Sequence, residues 1–174
     1  MRSKFYIKNC VRCQSINVYS YNFEFLQTLN PSSNAGQIIV EKPQGKYNNK
    51  KKLAYCKGVS ANTEFCRFSI KTGLKAKNIG NVPCVYLWIV NGEIIYIGET
   101  KKLKTRFNSG YGRISPRNCF VGGQSTNCKM NHAILELYRK GENVDLYYYQ
   151  TSKPKIIEKE LLDKIETRYN VQNN

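Results

Sequence analysis

Four residues stand out for the chemistry their side chains offer. Tyr86 and Tyr96 lie ten positions apart, Arg106 follows ten later, and Glu158 stands toward the C-terminal end. Hydrolysis of a phosphodiester needs a base for the attacking water, a cation against the charge gathering on phosphorus and usually a metal for the leaving oxygen. A phenol beside cations can be that base, because nearby positive charge lowers its pKa. A guanidinium is a planar fork of donors for phosphate, and a carboxylate is a hard oxygen ligand for Mg²⁺ or Mn²⁺. Taken singly, each residue also has an ordinary reading. Tyr86 and Tyr96 suit any strand, Arg106 any solvated helix, and Glu158 has acidic neighbours, of which Glu160 is the alternative ligand.

The surrounding elements must bring these side chains together. Val85-Tyr86-Leu87-Trp88-Ile89-Val90 and Glu93-Ile94-Ile95-Tyr96-Ile97 are β-prone runs joined by Asn91-Gly92. That pair predicts a hairpin with a type I′ turn, since both central residues need positive φ. Antiparallel neighbours lie about 4.8 Å apart, so phenols facing one side would share a pocket. Gly98 ends the second strand, and Thr100 is an N-cap for a helix through Leu103, Arg106 and Phe107. Lys101, Lys102 and Lys104 accompany it. A Gly-rich loop, too polar for core, runs from Asn108 to about Asn127 and lacks the Gly-Lys-Ser/Thr ending of a nucleotide P-loop. Its Arg113, Arg117, Gln124 and Asn127 suit phosphate and base-edge contacts. Met130, Ile134 and Leu137 mark a second helix stopped by Gly141. Val144 to Tyr149 alternates as a third strand, and Ser152 and Pro154 open a last helix with Ile157, Leu161 and Ile165 as its apolar stripe. The order β-β-α-α-β-α predicts an α/β (α+β) fold: a small three-stranded antiparallel sheet flanked by helices. Residues 1–80 read as an irregular, DNA-clamping extension and 81–174 as the catalytic domain. Within the extension, residues 66–70 alternate like a strand, and Lys50-Lys51-Lys52 is a solvated loop or a phosphate patch.

Cys84-Val85-Tyr86, Tyr96-Ile97-Gly98, Glu99-Thr100, Leu103, Arg106, Glu158 and Asn170 form an ordered set that resembles the GIY-YIG nuclease superfamily. The resemblance covers roughly 82–170, about half the chain. It implies one-step, metal-dependent hydrolysis of double-stranded DNA. Tyr86 would be the general base, Tyr96 a positioning hydroxyl, Arg106 the electrostatic stabiliser, Glu158 the Mg²⁺ ligand and Asn170 a supporting hydrogen-bonder. Two departures are visible. The first tripeptide lacks its glycine, and Gly110 occupies the place one turn after the arginine where family members carry histidine or tyrosine, which makes Tyr111 the candidate for that role. The extended Gly-rich loop is similar to that of restriction-enzyme members. The expected activity is a type II restriction endonuclease, acting as a homodimer on a palindromic target and accompanied by a DNA methyltransferase encoded nearby. The alternatives are a repair or mobile-element endonuclease, a non-catalytic nucleic-acid-binding module and a basic RNA-binding protein.

Composition agrees with a polyanionic partner. Lys and Arg total 28 against 12 Asp and Glu, a formal net charge of +16. Such cations release condensed counterions when they meet phosphates, and the 13 tyrosines can stack on bases. Basic residues interrupt residues 1–20, and no apolar run approaches the ~20 residues of a membrane span, so the expectation is a cytoplasmic protein with no membrane contact. Its seven cysteines are expected to be reduced. Cys10 and Cys13 invite a zinc reading with Cys56 and Cys66, although the latter two are spaced too widely for a second close couple. His132 reads as structural, beside an apolar helical stripe.

Overall fold

The turn that opens the predicted hairpin forms as its residues require. Asn91 and Gly92 take φ of 50° and 81°. Around them β7 (Cys84–Val90) folds back on β8 (Glu93–Thr100). The computed structural model describes residues 2–7, 13–43, 53–71 and 82–170. The chain forms two compact units, and each draws on both sides of the boundary expected near residue 80. The first takes Met1–Leu29, Lys71–Lys104 and Glu142–Asn174; the second takes Asn30–Ile70 and Thr105–Gly141.

In the first unit the sheet has five antiparallel strands, not three, in the spatial order 15–18, 21–29, 144–150, β7, β8. The expected third strand is β9 (Val144–Gln150), and β1 (Ser15–Val18) and β2 (Tyr21–Leu29) extend the sheet from the supposed extension. β2 pairs with β9 across more than a hundred residues, Glu24 opposite Tyr148. One face carries Val85, Leu87, Ile94 and Ile97. It packs with Phe23 and Val18 against Ile157 and Leu161 of the last helix, Pro154–Lys164, with Ile165 just beyond it in the same cluster. Pro154 starts that helix because the first turn has no intrahelical acceptor for an N–H there. Burying each such side chain contributes about 1.5–3 kcal/mol.

The chain after this helix runs along the edge of β8. Tyr169 N–H donates to the Ile95 carbonyl at 3.1 Å. Glu93, at the start of β8, is buried, bonded by Arg168 and ion-paired with Lys4 at 3.4 Å. Burial alone would push its carboxyl pKa up. The Arg168 hydrogen bond and charge, with Lys4 behind them, outweigh that and hold it below the ordinary range.

The second unit is built differently. Its strands are two residues long: β3 (Ser33–Asn34) with β4 (Gln37–Ile38), and β5 (Val40–Glu41) with β6 (Phe65–Cys66). The alternating run after Cys66 does not continue as a strand. Among its described residues the long helix is Ser125–Arg139, stopped by Gly141 at φ 74°. The Gly-rich loop proves to be part of a core: Ile114, Cys119, Phe120 and Cys128 cluster with Phe65. Pro116–Cys119 forms a short 3₁₀ turn that folds the loop inward. Lys50, Lys51 and Lys52 lie outside the described residues. Among those described, no helix is long and apolar enough to cross a membrane.

Candidate functional site

In the first unit, strand parity and register position the two phenols. Tyr86 lies opposite Gly98 and Trp88 opposite Tyr96, so Tyr86 and Tyr96 are diagonal neighbours on one face. Their ring centroids are 6.2 Å apart. Tyr86 is fully buried and Tyr96 nearly so. The Tyr86 ring lies over Gly98: a Cβ added there would stand 2.5 Å from its Cζ and hydroxyl oxygen. The glycine that closes Tyr96-Ile97-Gly98 is thus the space the opposite phenol occupies, a close approach rather than an unusual φ.

Asn170 joins this arrangement from the C-terminal segment. Its Oδ1 accepts from Ile97 N–H at 2.9 Å and its Nδ2 donates to the Ile97 carbonyl at 2.7 Å. One side-chain amide therefore satisfies both outward backbone groups of the residue between Tyr96 and Gly98, on an edge strand that offers no ladder partner there. Thr167 Oγ1 donates to the same Oδ1 at 2.8 Å. Glu158 is half-buried beside Ile157 in the last helix, whose apolar stripe packs on the sheet face opposite the two phenols. Glu160 is engaged elsewhere, accepting from the Tyr21 hydroxyl at 2.6 Å and from Lys164 Nζ at 2.8 Å, which disfavours it as the metal ligand.

In the second unit Arg106 is clamped. The short helix Leu103–Thr105 changes at Arg106 into a π-helical turn, Arg106–Tyr111, closed by Gly112 N–H to the Phe107 carbonyl at 2.6 Å. In an α-helix of 3.6 residues per turn, a residue five positions on stands about 140° away around the axis. In a π turn the i→i+5 bond brings it back under the first. Tyr111 accordingly sits beneath Arg106: Nη2 donates to its hydroxyl at 2.7 Å, and the guanidinium carbon lies 4.3 Å from its ring centroid. Tyr111, not Gly110, is therefore the residue of this turn that meets Arg106. Gly112 then lets Phe68 pass, since a Cβ would stand 2.0 Å from its carbonyl oxygen.

Asn127 corrects the sequence reading. It was expected to contact DNA, yet it is 1% exposed. Its Oδ1 accepts from Arg106 Nη1 at 3.2 Å and its Nδ2 donates to Gln124 Oε1, so it orients the arginine. Lys101, Lys102, Lys104, Arg113 and Arg117 are exposed, as is Gln124. His132 is structural as expected, its Nδ1 2.8 Å from the Glu64 carbonyl and its ring edge-on to Phe65.

Two residues beyond the expected set matter. Tyr148 lies opposite Tyr86 in the sheet and donates to Glu24 Oε2 at 2.8 Å. Burial, then the Glu24 hydrogen bond and charge, pushes its phenol pKa well up, so it remains a donor. Its position opposite Tyr86 singles it out from Tyr147 and Tyr149, which pair with Leu87 and Val85 of the same strand. Asn131, fully buried, accepts from Cys66 N–H at 2.9 Å and donates to the carbonyls of Cys66 at 2.7 Å and Tyr111 at 2.6 Å. It ties the end of the π turn to β6. Its three-residue spacing from Cys128 in an apolar helix was its only signal.

The zinc reading finds no support. Cys10 lies outside the described residues, and Cys13 is disulfide-bonded, against the expectation of reduced thiols, which Cys56, Cys66, Cys84, Cys119 and Cys128 meet. Cys56 donates to the carbonyls of Asn118 and Phe120, whereas Cys66 faces the Asn131 carbonyl. Burial drives the Cys66 thiol up to about 12, the behaviour of an inert core thiol. Among the described residues no group of three or more His, Cys, Asp or Glu is arranged to hold a metal. Comparison with protein-family models, with curated proteins and with solved structures finds no match to this chain.

Proposed function

We propose that the protein is a metal-dependent endonuclease that hydrolyses phosphodiester bonds of double-stranded DNA. The observation that carries this reading is the phenol pair: Tyr86 and Tyr96 on one sheet face, rings 6.2 Å apart, with the Tyr86 ring packed over Gly98. The orientation of Arg106 by Tyr111 and Asn127 supports it, because a cation held by two hydrogen bonds needs no reorganisation when charge develops on a phosphate.

In the proposed reaction a water oxygen attacks phosphorus and the P–O3′ bond breaks. Tyr86, as the phenolate, accepts the water's proton, the departing O3′ takes a proton from solvent water, and Tyr96 orients the water or a phosphate oxygen. Arg106 stabilises the extra negative charge on the phosphoryl oxygens. Glu158 would hold Mg²⁺, with Mn²⁺ as a substitute. A lone carboxylate suits Mg²⁺, which keeps most of its waters and takes only one or two carboxylates; when bound, it neutralises charge on the leaving oxygen. The net charge of +16 suits a DNA partner. Within this reading a type II restriction role, with a homodimer cutting both strands and a methyltransferase gene nearby, is the finer proposal.

The test is plasmid nicking with Mg²⁺ for the wild type and for Tyr86→Phe, Arg106→Ala and Glu158→Ala. Each substitution is expected to reduce the rate on the order of 10²–10³-fold, the usual loss of one transition-state contact or of acid–base help. Wild-type cleavage that survives all three would overturn the assignment.

A further inference from the structure

The second unit contains a cavity of about 680 Å³, within the size range of small-molecule sites. Three of its lining residues are cations: Lys42, Arg67 and Arg113. Two of them are compensated. Arg67 forks onto Glu41 through Nε at 2.9 Å and through Nη2, and Lys42 is ion-paired with Glu64 at 3.5 Å. Arg113 is exposed and has no ion-pair or hydrogen-bond partner among the described residues. A guanidinium left uncompensated at a cavity wall favours an anion there.

The donors beside it are preset. Asn108 Oδ1 accepts from Ile70 N–H at 2.8 Å, which fixes the amide and leaves its NH₂ without a partner among the described residues. Ser109 adds a hydroxyl to the lining. Ile114 and Pro116 supply an apolar wall. An anion-seeking cation, fixed neutral donors and an apolar wall suit a nucleotide, whose phosphate is charged and whose base is flat and largely apolar on its faces. Asn108 and Ser109 also lie inside the π turn that carries Arg106 and Tyr111 at its ends.

We propose that this cavity binds one nucleotide of the DNA substrate, its phosphate against Arg113, Asn108 and Ser109 and its base against Ile114 and Pro116. The proposal rests on the nuclease reading for its choice of substrate. A nucleotide seated there would press on the turn that holds Arg106, coupling recognition to the orientation of that arginine.

The test is calorimetric titration of the full chain, without divalent metal, with the four deoxynucleoside 5′-monophosphates, the four deoxynucleosides and inorganic phosphate. At least one monophosphate is expected to saturate at millimolar concentration or below. It should bind about tenfold or more tightly than its nucleoside or than phosphate, the difference made by one charge-assisted contact. Arg113→Ala should weaken it about tenfold, Arg113→Lys should restore part of the loss, and Lys140→Ala, which removes a surface charge elsewhere, should leave it unchanged. Thermal melts of the variants matching wild type will show that the fold is intact. The proposal falls if no monophosphate saturates, if nucleosides bind equally well, or if Arg113→Ala behaves like Lys140→Ala. Plasmid cleavage, measured separately, keeps the two readings apart. Arg113-dependent nucleotide binding without cleavage upholds the cavity assignment and sinks the nuclease. Cleavage without nucleotide binding does the reverse.

Discussion

The two units place their chemical groups by different means. The first uses regular structure. Its phenols are set by strand parity and cross-strand register, and its opposite face is an apolar layer closed by a helix. The second has strands of only two residues and sets its arginine with side-chain amides. Asn131 ties β6 to the π turn, Asn127 holds Arg106, and Asn108 holds the backbone of Ile70. Register is cheap to specify once one face is buried, because a slip by one residue inverts every side chain. A turn with few ladder bonds has no such constraint, so buried polar groups must be satisfied individually, and each becomes indispensable.

The sharpest way to break this contrast is Asn131→Ala. It strands three buried backbone groups, and the expected loss is about 2–4 kcal/mol in chemical denaturation. Asn131→Leu should be no better. If the apolar isostere restores stability, the second unit is held by packing like the first, and the distinction fails. Next is Gly98→Ala in the first unit. The added methyl must displace the Tyr86 ring, at about 1–3 kcal/mol, with a loss of cleavage larger than the loss of stability explains. Unchanged cleavage would show that the Tyr86 position is not what register protects. Smaller again is Asn127→Ala, which removes one hydrogen bond from Arg106. A cost of about 1 kcal/mol predicts a roughly fivefold to tenfold slower cleavage, with little change in the affinity for uncut DNA measured without metal.

The smallest effect is one of pH. The Glu93 carboxyl is held below its ordinary range in the folded chain. Its contribution is therefore complete above the pKa of an unfolded glutamate and is lost as pH falls through the lower, folded value. Melting temperature should decline through that acid window in the wild type and decline less steeply in Glu93→Gln. Identical profiles would remove Glu93 as an anchor of the C-terminal segment that carries Asn170.

Much of the first unit could be read along the chain because its determinants are local. Asn91-Gly92 dictates positive φ, Pro154 a helix start, and Tyr86 and Tyr96 fall within one hairpin. The pairing of β2 with β9 could not be read, since it depends on which distant edge is available, and Tyr21–Leu29 does not carry that information within itself. The candidate site divides in the same way. Tyr111 is a candidate through the family resemblance alone, since nothing local announces a π turn in Arg106–Tyr111, and Asn127 reads as a solvent-facing loop residue until burial turns its amide toward the arginine.

Residue types and short-range spacing, acting alone, settle what depends on composition and a few neighbouring dihedrals: a strongly positive net charge, the hairpin, the helix ends, and the alternation that can aim two phenols the same way. The fold as a whole assigns what depends on partners far along the chain: a five-stranded sheet in place of three, a loop turned into a second core, and amides that hold an arginine instead of greeting solvent. The reason is that backbone preference acts within a turn or two, whereas burial and hydrogen-bond satisfaction are properties of the whole packed chain.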